Sequence, residues 1–198
     1  MSNPNRPAPL SVIRVEPIRD LKAIKTIKKL LADKPRDLCL FTLGINSNLR
    51  ASDLVKITVG QVRHVQPKGH ITLRERKTGK IRNITINDTV YAALQSLLKH
   101  LGEDVTDDAL LFQSRKWKGQ LTTPTMNALV KGWCKMIGLQ GNYGSHSLRK
   151  TFGYIHRTQF NTDLPTLCQM FNHATQRQTL SYLGIQEQEV QDAYLKEI

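Results

Sequence analysis

Arg50, Lys77, His146, Arg149, His173 and Tyr182 are the residues whose types and order could do chemistry in this chain. Two arginines, two histidines, a lysine and a tyrosine are a poor set to bury in a core. They are a good set for attacking a phosphodiester with a phenolate. A phosphodiester resists nucleophiles because its oxygens are negative, so catalysis rests on positioning and on cations that stabilise the pentacoordinate transition state. Some nucleases hold metals on clustered carboxylates, but the few acids here do not gather near the His/Arg segment. The other solution needs no metal and no cofactor. Two arginines grip the non-bridging oxygens with their forks. A histidine shares a proton or donates a hydrogen bond. A lysine protonates the departing 5′-oxygen, and a tyrosine is the nucleophile.

The spacings suit that chemistry. His146 and Arg149 stand at i and i+3, so they share a helix face and can address one phosphate. Lys77 opens Lys77-Thr78-Gly79-Lys80, a hairpin tip that can reach into a groove. Lys80 is the alternative general acid, because basic residues crowd this hairpin. Arg50 follows a helix break at Asn46-Ser47-Asn48. Asp53 either caps a short helix or orients Arg50. His173 is either a helix-end core histidine or a donor to phosphate. Of the five tyrosines, only Tyr182 and Tyr194 lie beyond His173, and Tyr194 reads as packing in a terminal helix.

The elements that must position these groups follow from periodicity. The 198 residues have 39% hydrophobic content, enough for one domain with a proper core. Prolines at 4, 7, 9 and 17 mark residues 1–17 as a flexible arm, with one domain over 18–198. Helical patterns run from Ile18 to Ala32 and from Pro35 to about Asn46, and a short helix holds Ser52 and Asp53 near its start. The period then changes to two. Gln61–Val65, Ile71–Glu75 and Ile81–Ile86 read as three strands of a small antiparallel sheet. Helices follow from a cap at Asp88 to Leu101, from Thr122-Thr123-Pro124, from a cap at Ser145, and from Thr162-Asp163-Leu164-Pro165, with a last one in Glu187–Lys196. The fold class expected is α+β, mainly α, with the sheet on one edge.

Composition narrows the partner. Lys and Arg outnumber Asp and Glu by 29 to 16, a formal charge of +13, which favours a polyanion and most simply double-stranded DNA. Cys39, Cys134 and Cys168 are far apart and lie in apolar contexts, so they read as packing. The N-terminus lacks an apolar signal region, and the longest apolar run is too short to span a bilayer. A cytoplasmic protein is the expectation.

The ordered boxes resemble those of the tyrosine recombinases, the phage-integrase type of site-specific recombinase. Asn48-Leu49-Arg50-Ala51-Ser52-Asp53-Leu54 is similar to the family's arginine motif. Lys77 matches its hairpin lysine, and His146-Ser147-Leu148-Arg149 its His-x-x-Arg box, followed by Lys150. Phe171-Asn172-His173 matches the third histidine, and Tyr182 the nucleophile nine residues on. The resemblance covers roughly residues 35 to 185. It implies a catalytic fold that cleaves and rejoins DNA through a 3′-phosphotyrosine, for integration, excision or inversion. The catalytic set it implies is Arg50, Lys77, His146, Arg149, His173 and Tyr182, supported by Asp53, with Lys80, Arg82 and Lys150 on the DNA. It further implies a tetramer on paired sites, exchange of the C-terminal helix 186–198 between protomers through Val190, Tyr194 and Leu195, and accessory DNA-bending proteins. Type IB topoisomerase-like nicking and closing, or a non-catalytic DNA-binding regulator on the same fold, are the alternatives. Two framework positions depart: Asn48 replaces a usual glycine, and Phe171-Asn172 a usual Leu-Gly. Only 34 residues precede Pro35, where most members carry a further helical domain. The chain therefore reads either as a naturally short member, similar to the fimbrial-switch inverters, or as a catalytic piece.

Overall fold

The computed structural model describes residues 15–75, 79–114, 119–183 and 194–197. Helix α1, Leu21–Leu30, begins at Asp20, whose carboxylate accepts the N–H groups of Lys22 and Ala23. Such a cap contributes about 1 kcal/mol. The helix buries Ala23, Ile24 and Ile27 and leaves Lys22, Lys25 and Lys29 outside. Helix α2, Pro35–Asn46, starts on its proline and is buried along most of its length. It packs between α5, Asp88–Leu101, and α7, Ser145–Thr158. Phe41 of α2 meets the edge of Trp133, which lies on α6, Thr123–Met136.

Two expected caps shift by one residue. Asn87, not Asp88, accepts the Val90 N–H at the start of α5. Gly144, not Ser145, occupies the cap of α7.

The sheet differs from expectation. Among the described residues it has two strands, β1, His70–Arg74, and β2, Ile81–Thr85, antiparallel with His70 opposite Thr85. Within the segment read as a first strand, Gly60–Arg63 forms a short helix, α4, after the short α3, Ala51–Leu54. The Gln61 side chain accepts the Thr58 N–H at 2.9 Å, the returning half of a Thr-x-x-Gln capping box. Val59 and Val62 are both buried, at the three-residue spacing of a helical face rather than the two-residue spacing of a strand. Gly79, at φ +69°, closes the hairpin, with its N–H on the Glu75 carbonyl.

Two apolar clusters organise the chain. The larger joins α1, α2, α5, α6 and the sheet. The smaller holds Phe152, Leu167, Phe171 and Leu183, with Met170 and Tyr182 against it. It seats α8, Leu164–Phe171, and α9, Gln176–Leu183, on α7. Gly153 makes this approach possible, because a Cβ there would come within 2.5 Å of Leu183 and Phe171 side-chain atoms. Cys39 and Cys134 are buried as expected, while Cys168 is only half-buried. Tyr194 is 82% exposed. Among the described residues, no helix is long and apolar enough to cross a membrane.

Candidate active site

The N-terminus of α7 sets two of the candidates. Gly144 lies so close to Asn127 that a Cβ would collide with its Oδ1. That approach lets the Asn127 Oδ1 accept the Ser145 N–H, and the Ser147 hydroxyl accepts the Gly144 N–H. The first turn is thereby fixed, with His146 exposed and Arg149 3% exposed.

Arg149 is held by backbone. It donates to the Asn48 carbonyl at 2.6 Å and to the Phe171 carbonyl at 3.0 Å, and it lies over the Phe171 ring. Asn48 takes the left-handed conformation, φ +55°, which a short amide tolerates without being glycine. Its side-chain amide donates to the Met170 carbonyl at 2.6 Å. The break before Arg50 is therefore tied to the end of α8.

Arg50 is aimed by a carboxylate that the sequence reading did not single out. Glu75 is fully buried and pairs with Arg50 at 2.6 Å and with Arg82 at 2.8 Å. Arg82 also donates to the Met170 carbonyl at 2.8 Å. The guanidinium of Arg82, a residue expected on the DNA, thus has partners inside the protein. A signal for Glu75 was present: it continues the buried phase of Ile71 and Leu73 along β1, where a carboxylate needs a cation. Asp53 is buried and does not cap α3. It lines a hollow with Glu75 beneath the hairpin.

On the other side stand α9 and the turn before it. His173 Nδ1 lies 3.0 Å from the Thr179 hydroxyl, and its ring stacks on Phe171. Tyr182 packs against Phe171, His173 and the Lys150 ammonium, with Arg149 5.9 Å from its ring centre. The Tyr182 hydroxyl is buried, and the Arg149 guanidinium is the cation that faces it. A cavity of about 460 Å³ is lined by His146, Lys150, His173, Tyr182 and Val15. Val15 arrives there because the chain beside it is pinned: Glu16 donates to the Asn142 carbonyl, and the Ile18 N–H to Thr151. A larger cavity, about 530 Å³, lies behind Asn48 and Arg82 and holds none of the candidate reacting groups. Lys77 lies outside the described residues. Lys80 reaches the Asn172 side chain at 3.2 Å, next to His173.

The charges act together. Burial and then the charges of Arg149 and Arg50 push His173 down to about 4. Partial burial, then Arg149, Lys150 and Arg50, lower His146, although its ring is open to solvent on one side. Both imidazoles are neutral at pH 7. Burial raises the Tyr182 phenol, while Arg149 and Arg50 pull it the other way. Burial brings Arg149 down to about 10, still a full cation at neutral pH. Arg50, His146, Arg149, His173 and Tyr182 thus share one electrostatic neighbourhood. Among the described residues, no group of three or more His, Cys, Asp or Glu is placed to hold a metal ion.

The family model described as the phage integrase family matches residues 18–189. The chain belongs to the phage integrase family. It is 35% identical over 181 residues to the probable integrase/recombinase YoeC of Bacillus subtilis (strain 168), covering 91% of this chain and 95% of that one. It is 30% identical to the tyrosine recombinase XerC of Caldanaerobacter subterraneus subsp. tengcongensis, covering 82% of this chain but 45% of that one. The fold superposes with a TM-score of 0.71 on the XerH site-specific recombinase bound to a palindromic difH substrate in a post-cleavage complex, at 16% identity, covering 92% of this chain and 53% of that one. The chain thus spans nearly all of one relative and about half of the others. The phage integrase fold, mainly helical with a small antiparallel sheet, is the one expected.

Proposed function

We propose that this chain is a site-specific DNA recombinase that cuts and rejoins double-stranded DNA through a 3′-phosphotyrosine. The observation that carries the reading is the convergence of Arg50, His146, Arg149, His173 and Tyr182 on one neighbourhood. The Tyr182 oxygen attacks phosphorus, the bond to the 5′-oxygen breaks, and the phosphate stays on the tyrosine. Neutral His146 accepts the phenol proton. Lys77 donates a proton to the leaving 5′-oxygen, with Lys80 as the alternative donor. Arg50 and Arg149 stabilise the equatorial oxygens, and His173 adds a hydrogen bond. Attack by the 5′-hydroxyl of another strand reverses these bonds. The covalent link conserves the bond energy, so no cofactor is required.

The partner is double-stranded DNA, in keeping with the net charge of +13 and with the DNA-bound state of the XerH neighbour. Lys80 and Lys150 are the lysines this reading places on DNA phosphates. A tetramer on paired sites is proposed, with exposed Tyr194 and Leu195 docking on a neighbouring protomer, and accessory DNA-bending proteins selecting the outcome. The setting is the cytoplasm. The test is a supercoiled plasmid bearing two copies of a repeat from the DNA beside the coding region. Inversion or excision between the repeats is expected. Relaxation of any plasmid without site preference would instead support the topoisomerase-like reading, and binding without strand exchange the regulator.

A further inference from the structure

Thr179 lies on the inner face of α9, one turn before Tyr182, and is 0% exposed. Its hydroxyl makes one hydrogen bond among the described residues, to His173 Nδ1 at 3.0 Å. A neutral imidazole carries one hydrogen, on Nδ1 or on Nε2, and the other nitrogen accepts. If Nδ1 carried it, the Thr179 hydroxyl would accept that bond and its own proton would be buried without an acceptor, a costly arrangement. If the hydroxyl donates to Nδ1, every proton is satisfied and Nε2 carries the hydrogen.

We propose that Thr179 is a positioning residue that fixes the tautomer of His173. The hydroxyl donates to Nδ1, and Nε2–H, on the opposite edge of the ring, donates into the cavity that His173, His146 and Tyr182 line. Neutrality matters to this device, and the nearby Arg149 and Arg50 charges help to maintain it. Stacking on Phe171 sets the ring plane, and Thr179 sets the rotation within it. The step from cavity donor to phosphate donor rests on the function proposed above. One helix then delivers the nucleophile and the group that holds a phosphate donor, so a shift of α9 moves both together.

The experiment reads the tautomer directly. Nitrogen-15 long-range spectra of the histidine rings are recorded on the full chain at pH 7, with His173 assigned by the loss of its signals in His173→Gln. A protonated Nε2 and an accepting Nδ1 are expected. Thr179→Val should populate the Nδ1–H form and slow single-turnover cleavage of a nicked duplex by about 10- to 100-fold, the size found when a metal-bound histidine loses its orienting partner. Thr179→Ser should restore both. An Nδ1–H form in the wild type, or wild-type cleavage by folded Thr179→Val, would overturn the proposal. The wild-type spectrum decides the tautomer even if the valine variant fails to fold. A wild-type chain with the Nε2–H form that cleaves no duplex would instead sink the recombinase reading.

Discussion

Arg149 uses two of its five N–H donors on the Asn48 and Phe171 carbonyls, which leaves others for a phosphate. Lysine has no fork and cannot serve both carbonyls and a phosphate from one ammonium. Arg149→Lys is therefore expected to slow single-turnover cleavage by about 10²–10³-fold, the cost of losing one oxyanion donor. Unchanged cleavage would remove Arg149 from the chemistry. Glu75 works from behind, pairing one carboxylate oxygen with Arg50 and the other with Arg82. Glu75→Gln leaves two guanidiniums without their carboxylate, and breaking a buried ion pair costs about 3–5 kcal/mol. A melting temperature lower by roughly 6–20 °C is expected by calorimetry, with slower cleavage as Arg50 loses its aim. Glu75 was legible only through its phase on β1, because a carboxylate's role depends on which cations the fold brings to it.

At the scale of elements, the helix breaks carry the site. Asn48 holds the break before Arg50, and its φ of +55° decides what can replace it. Asn48→Gly should keep the backbone and lose the bond to Met170, whereas Asn48→Val should cost far more, since a β-branched residue resists the left-handed region. Thermal melts of the two variants check this ordering, and equal losses would contradict it. The same scale shows what the sequence could and could not tell. Pro35–Asn46 and the hairpin were readable because proline, Gly79 and apolar phase agree locally. Gln61–Val65 reads as a strand, yet the helix Gly60–Arg63 takes its first half, because so short a run cannot separate a helical from an alternating pattern. The joining of Asn48 to α8 had no local signal, since it is a contact across 122 positions.

For the whole molecule, the site's own electrostatics tie stability to pH. His173 is held down to about 4, and His146 and His156 are also lowered. The unfolded chain, with ordinary histidines near 6.5, binds more protons over this range, so stability should fall as pH drops from about 6.5 toward 4. Denaturant titrations across that window check it, and His173→Gln should show a shallower loss. DNA binding should weaken steeply with salt, as phosphate contacts release counterions.

In the proposed reaction Tyr182 becomes covalently joined to DNA. A nicked suicide duplex carrying the repeat traps such a link, because the short cleaved strand diffuses away and cannot be religated. Denaturing electrophoresis and peptide mapping should find the adduct on Tyr182, formed equally in EDTA and absent from Tyr182→Phe. An adduct that persists in Tyr182→Phe, or one that EDTA abolishes, would contradict the account.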